Sequence, residues 1–178
     1  SAYHNRAVVK RLLSKFGDAI KDFDEALKIN PKYFDSLFFK AITQLKIGDY
    51  ENGWKNYEYR WETTNFPSPK RKFIQPCWNG TDNLNDKIIL LHGEQGLGDN
   101  IQFVRYFNLV KSKAKKAILQ VNKKLVRLFQ ESNLSENILS NNEKLPEFDI
   151  HCPLLSLPFK FSTTLQSIPF NNKYLFPN

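Results

Sequence analysis

The sequence predicts two kinds of structure in series: paired α-helices over residues 1–64, then a small open parallel sheet with helices over residues 87–178. Three observations predict it. Residues 1–64 repeat their own pattern at a spacing of 34. An apolar run at residues 87–92 passes directly into a glycine-rich turn and an amphipathic segment. Short apolar runs then alternate with helical patterns, the order that gives right-handed crossovers and a parallel sheet.

In the repeated part, Ala7 pairs with Ala41, Phe16 with Tyr50, Ala19 with Gly53 and Phe23 with Tyr57. Small residues sit where paired helices must approach closely, and aromatics fill the space between neighbouring pairs. Gly48, Asp49 and Tyr50 supply the turn inside the second copy, and Pro31 stops the last helix of the first. The pattern resembles the tetratricopeptide repeat, a 34-residue helix–turn–helix unit. The second copy is looser, with Arg60 and Asn65 where the repeat has alanine and proline. Two units are fewer than the ~3 that a repeat core usually needs, so either more repeats stand before Ser1 or something else covers the stack. Tyr50, Trp54, Tyr57 and Trp61 recur at steps of four, three and four, which puts four aromatics on one helix face. That stripe reads as a surface docked on the following domain, with carbohydrate stacking or partner binding as the alternative.

Residues 65–86 break the helical pattern with scattered prolines and polar residues, an extended linker in which Trp78 is the expected anchor into the next domain. Strands are expected at residues 87–92, 117–121 and 148–152, with a weaker one at 137–140. Helices are expected at residues 99–111 and 123–131, the second with Leu125, Leu128 and Phe129 on one face. Residues 153–178 carry no clear helical pattern.

Chemistry concentrates in the turn after the first strand. Gly93, Gly96 and Gly98 remove side chains where the chain must turn sharply and a ligand can approach the backbone. The following helix start offers N–H groups. A dinucleotide fingerprint would need a small residue where Ile101 stands, and no Gly-Lys-Ser/Thr follows, so neither NAD nor ATP binding is expected. No cofactor is assigned. Asp99 has two readings: a helix N-terminal cap, worth about 1 kcal/mol, or a general base that takes a proton from an attacking hydroxyl. Glu94 is either a second carboxylate at the same rim or a solvated loop residue. His92 reads as a buried imidazole, and His4 and His151 are too scattered to complete a metal cluster with it, so no metal site is expected.

Composition narrows the partners. Of 178 residues, 25% are charged, and the formal charge is +8. It divides into +5 before residue 81, from 14 basic and 9 acidic residues, and +3 after it, from 12 basic and 9 acidic. Neither half is extreme, and Lys111, Lys113, Lys115 and Lys116 cluster where they complement a helix C-terminus; nucleic acid is not the expected partner. No apolar run approaches the ~20 residues of a membrane span, and no secretory signal is evident. Cys77 and Cys152, far apart, fit a reduced cytoplasmic setting better than a disulfide framework.

Residues 92–106, His-Gly-Glu-Gln-Gly-Leu-Gly-Asp-Asn-Ile-Gln-Phe-Val-Arg-Tyr, resemble the signature of bacterial tetratricopeptide-repeat proteins with a glycosyltransferase-like region. That region is similar to heptosyltransferases and, more distantly, to protein O-GlcNAc transferases. Gly53-Trp54 with Tyr57–Trp61, the segment 76–80, and Pro153–Pro158 followed by Ile168-Pro169 and Tyr174-Leu175 agree with it. The resemblance implies the N-terminal, Rossmann-like half of a two-domain GT-B enzyme. Asp99 would be the catalytic base, and Gly93, Glu94, Gln95, Gly96 and Gly98 would line the acceptor side. It also implies a nucleotide-sugar domain starting near residue 178, without which the chain would be inactive. The alternative is a non-catalytic adaptor that binds protein or peptide through the repeats.

Overall fold

A computed structural model describes residues 1–64, 66–169 and 173–176. Asn65, one of the expected departures from the repeat, lies outside the described residues, as do residues 170–172 and 177–178. The chain divides into two compact units: Ser1–Lys70 with Ser162–Gln166, and Arg71–Phe161 with Ser167–Asn178. Helical repeats are followed by a small all-parallel sheet with helices, an α plus α/β arrangement.

The first unit is helical: α1 (Ala2–Leu12), α2 (Phe16–Ile29), α3 (Phe34–Lys46) and α4 (Tyr50–Tyr57), then a 3-10 segment at Glu58–Glu62. Ser1 caps α1 by accepting the His4 N–H, and Asp49 caps α4 by accepting that of Asn52. Gly48, at φ +86°, makes the turn before α4 in a conformation that favours glycine. Ala7, Ala19 and Phe23 form one core cluster, with Val8 and Phe39 packed against it. The small residues at the repeated positions allow that packing, and Gly53 lies tight against Leu45 of α3. Asp22 of α2 ties the first helix pair together, since its carboxylate accepts from Arg6 and Lys10 of α1 at 2.7 Å each. Hydrogen bonding from Arg6 is the main reason its carboxyl is held down to about 2, with Lys10 adding to it.

The expected single helical stripe is broken here. Tyr50 and Trp54 stack at 6.4 Å, and Trp54 meets Tyr57 edge-on at 6.2 Å. Trp61, however, stands on the 3-10 segment, where the rise and phase differ from the α-helix. Its ring packs on Phe66 at 5.2 Å.

The second unit is built on β1 (Ile88–His92), β2 (Lys116–Val121), β3 (Ile138–Ser140) and β4 (Ile150–Pro153). All pairs are parallel, in the order β3-β2-β1-β4. Between β1 and β2 run α5 (Leu97–Phe103) and α6 (Phe107–Lys111), and α7 (Lys123–Glu131) joins β2 to β3. The expected continuous helix at residues 99–111 therefore starts two residues earlier and is interrupted by a 3-10 turn at Val104–Tyr106. A short α8 (Leu157–Lys160) also forms where no helix was expected, with proline in its first turn. Alternation along the strands sends Ile89, Leu91, Ala117, Leu119, Val121, Ile150 and Cys152 to one face. The other face carries Leu90, Ile118, His92, Gln120 and His151.

The chain before β1 belongs to this unit from Arg71 onward. Trp78 donates its backbone N–H to His151 O at 2.8 Å, and His151 N–H reaches Pro76 O at 3.1 Å, so this segment pairs along the edge of β4. The Trp78 ring is buried, lies 5.7 Å from Phe161, and donates its indole N–H to Asp82 O at 3.1 Å.

Candidate functional site

Strand order locates the site. The chain runs from β1 outward to β2 and β3, then returns to the opposite side of β1 for β4. The carboxyl ends of β1 and β4 therefore flank a topological switch point, where open parallel sheets place ligands. His92 ends β1 and is level with Pro153 of β4 and Gln120 of β2. The glycine turn starts at the next residue, and Gly93 N–H still bonds Gln120 O at 2.8 Å.

The turn is held by Asn100. Its Nδ2 donates to Glu94 O at 3.1 Å and to Gly96 O at 2.7 Å, and its side chain is buried against Gly93. The three glycines are unequal. A side chain at Gly93 would collide with Asn100, one at Gly96 would meet only Asp99, and Gly98 faces open space. The left-handed residue of the turn is no glycine but Gln95, at φ +57°. Sequence reasoning assigned the sharp turn to glycine and missed both Gln95 and Asn100. The signal for Asn100 was its place four residues after Gly96, from which an amide can reach back to a carbonyl on the first turn of a helix.

Asp99 is half-buried at the third position of α5. Its Oδ2 accepts the Gly96 N–H at 3.1 Å, the reciprocal half of a capping box. Oδ1 makes no hydrogen bond among the described residues, so one oxygen serves the loop and the other is uncommitted. Glu94 is buried. Because α5 has only seven residues and Asp99 closes its first turn, the helix start is a weaker anion seat than the sequence suggested.

On the face that carries Leu90 and Ile118, two histidines expected to lie apart come together. His92 Nε2 and His151 Nδ1 are 3.2 Å apart, which the parallel pairing of β1 with β4 enforces across 59 residues of sequence. Two imidazoles are one ligand short of a metal cluster, and no group of three or more metal-binding side chains occurs among the described residues. Phe73 covers the pair, its ring centroid 5.6 Å from His92 and 4.8 Å from His151. Burial lowers the His151 pKa, and the nearby Arg71 charge lowers it further.

Arg71 completes this side. Its Nη1 donates to Gln120 Oε1 and its Nη2 to Asn141 Oδ1 at 3.2 Å, so it reaches from the segment before β1 across to the ends of β2 and β3. Gln120 is itself fixed by donating to Ser140 O at 3.1 Å. Burial lowers the Arg71 pKa. No sequence pattern marked Arg71, since an arginine in a Pro-rich stretch reads as a solvated linker residue.

Comparison with known proteins bears on the first unit. Residues 1–33 match the family model described as the tetratricopeptide repeat. No curated protein and no solved structure matches the chain. The matched residues cover α1, its turn and α2, so the protein contains a tetratricopeptide repeat whose helix pair is closed by Asp22.

Proposed function

We propose that the chain joins a tetratricopeptide protein-binding module to the acceptor-side half of a glycosyltransferase-like protein. The observation that carries this reading is the position of Asp99: on the glycine turn beside the β1/β4 switch point, with one carboxylate oxygen committed to the loop and the other uncommitted. A carboxylate fixed through one oxygen presents the second in a defined direction, as a general base requires. The acceptor hydroxyl would donate its proton to Asp99 Oδ1 as its oxygen bonds the anomeric carbon of a nucleotide sugar. The bond from that carbon to the diphosphate oxygen breaks, and the nucleoside diphosphate leaves. Stabilising the leaving group requires cationic groups or helix starts, which in this reading belong to a further nucleotide-sugar unit.

Asp99→Asn in a protein that holds both units is the test. The amide oxygen can still accept the Gly96 N–H, so the cap survives, but the base is removed. Turnover should fall by about 10²–10⁴-fold with an unchanged thermal midpoint. Unchanged turnover would reduce Asp99 to a cap.

The match over residues 1–33 favours a second reading, a non-catalytic adaptor that binds a peptide or protein through its repeats. A defined peptide bound by the repeats, with nucleotide sugars leaving the α/β unit undisturbed, would favour it over transfer.

A further inference from the structure

The feature that neither reading uses is Arg71. It is a half-buried guanidinium whose two hydrogen-bond partners, Gln120 Oε1 and Asn141 Oδ1, are neutral amides. Among the described residues no carboxylate pairs with it. Glu143, on the turn after β3, is engaged elsewhere, with Oε1 accepting the Ser140 N–H at 2.7 Å. The imidazole of His151 lies against the same Phe73 ring that Arg71 faces. Its Nδ1 is taken by His92, while its Nε2 has no partner among the described residues.

A strap holding a linker to a sheet needs no charge, and a Gln or Lys on the surface would hold it at lower desolvation cost. An arginine kept half-buried without a carboxylate is the arrangement that binds an external oxyanion, because the fixed charge and spare donors are already in place. Two of its five N–H donors are spent on Gln120 and Asn141. Three remain, and His151 of β4 lies against the same Phe73 ring. A phosphoryl group carries more charge and more acceptor oxygens than a carboxylate and makes fuller use of three guanidinium donors.

We propose that Arg71, with His151 against the same Phe73 ring, forms a binding site for a phosphoryl group at the carboxyl end of the sheet. The ligand is inorganic phosphate or the phosphate of an ester, held by charge-assisted hydrogen bonds from the guanidinium. This site does not depend on sugar transfer, and its failure would leave the reading of Asp99 untouched.

Titration of the whole chain with inorganic phosphate, followed by NMR at constant ionic strength, tests it. Saturable shifts are expected at the Arg71 Nε–H and at the amides of Gln120, Asn141 and His151, with a Kd on the order of 1 mM. A sugar phosphate in a second titration separates the sources: tighter binding than phosphate identifies an ester, and equal binding identifies the free ion. Asn141→Asp is the decisive variant. Asn141 is exposed, and a carboxylate there would neutralise the guanidinium at Nη2 without removing any packing. It should weaken phosphate binding at least tenfold while the fold persists, and Arg71→Gln should abolish it. Shifts reproduced by chloride or acetate at equal concentration, or binding unchanged in Asn141→Asp, would overturn the proposal.

Discussion

Asn100 Oδ1 fills the space that any side chain at Gly93 would need: a Cβ built at Gly93 would lie 1.9 Å from it. The two residues are one device. The glycine lets the amide enter, and the amide bonds two carbonyls of the turn that carries Asp99.

Gly93→Ala should therefore act through Asn100. It displaces the amide and leaves the Glu94 and Gly96 carbonyls without that donor, at a cost of about 2–3 kcal/mol. Asn100→Ala alone loses the same bonds but opens space beside Gly93. In that background Gly93→Ala should cost far less than in the native chain. A double-mutant cycle by chemical denaturation measures the difference. Additive costs would show that the contact is not the constraint.

The repeat position shared by Ala19 and Gly53 carries a second expectation. A Cβ at Gly53 would stand 2.7 Å from Leu45 Cδ2 and 3.1 Å from the Leu45 backbone nitrogen. The leucine tip can turn away, but the backbone cannot. Alanine gains about 1 kcal/mol of helix propensity, which offsets part of the crowding. Gly53→Val adds branched bulk and should destabilise the chain by about 1–3 kcal/mol, read from the denaturation midpoint. A neutral Gly53→Val would mean that α3 and α4 can separate at no cost.

Periodicity revealed what is periodic. The 34-residue spacing gave the helix pairs, and alternating apolar runs gave four parallel strands within one or two residues of their ends. Local geometry that breaks a period was hidden. Trp61 sits on the helical phase of the sequence but on a 3-10 segment of the chain, and the helix after the turn is interrupted at Val104–Tyr106. The candidate site was marked in the sequence only at its glycine turn. Asp99 stood out because a carboxylate after a glycine turn has few roles. Arg71 and the His92–His151 pair did not, because only the order of the strands brings residues so distant in sequence to one face.

His4 provides a stability test with a definite sign. The imidazole is buried between Tyr33 at 4.7 Å and Phe39 at 5.7 Å, and its Nδ1 is 2.8 Å from Ser36 Oγ. Burial lowers its pKa, the Ser1 amino group lowers it further, and Asp35 opposes them in part. In the unfolded chain it takes up a proton at its ordinary value near 6.5. As pH falls below that value, the unfolded state binds the proton first and stability declines. The decline ends once pH passes below the folded pKa. Asp22, held at about 2 against about 3.9 when unfolded, loses its contribution only as pH falls from roughly 4 through 2. His151 is lowered in the same direction and adds to the slope below pH 6.5, so the His4 share is read by difference. In urea denaturation between pH 7.5 and 5, His4→Gln should be less stable at the top of the range and show a shallower decline. An unchanged slope would mean that His4 protonates as readily in the folded repeat as in the unfolded chain.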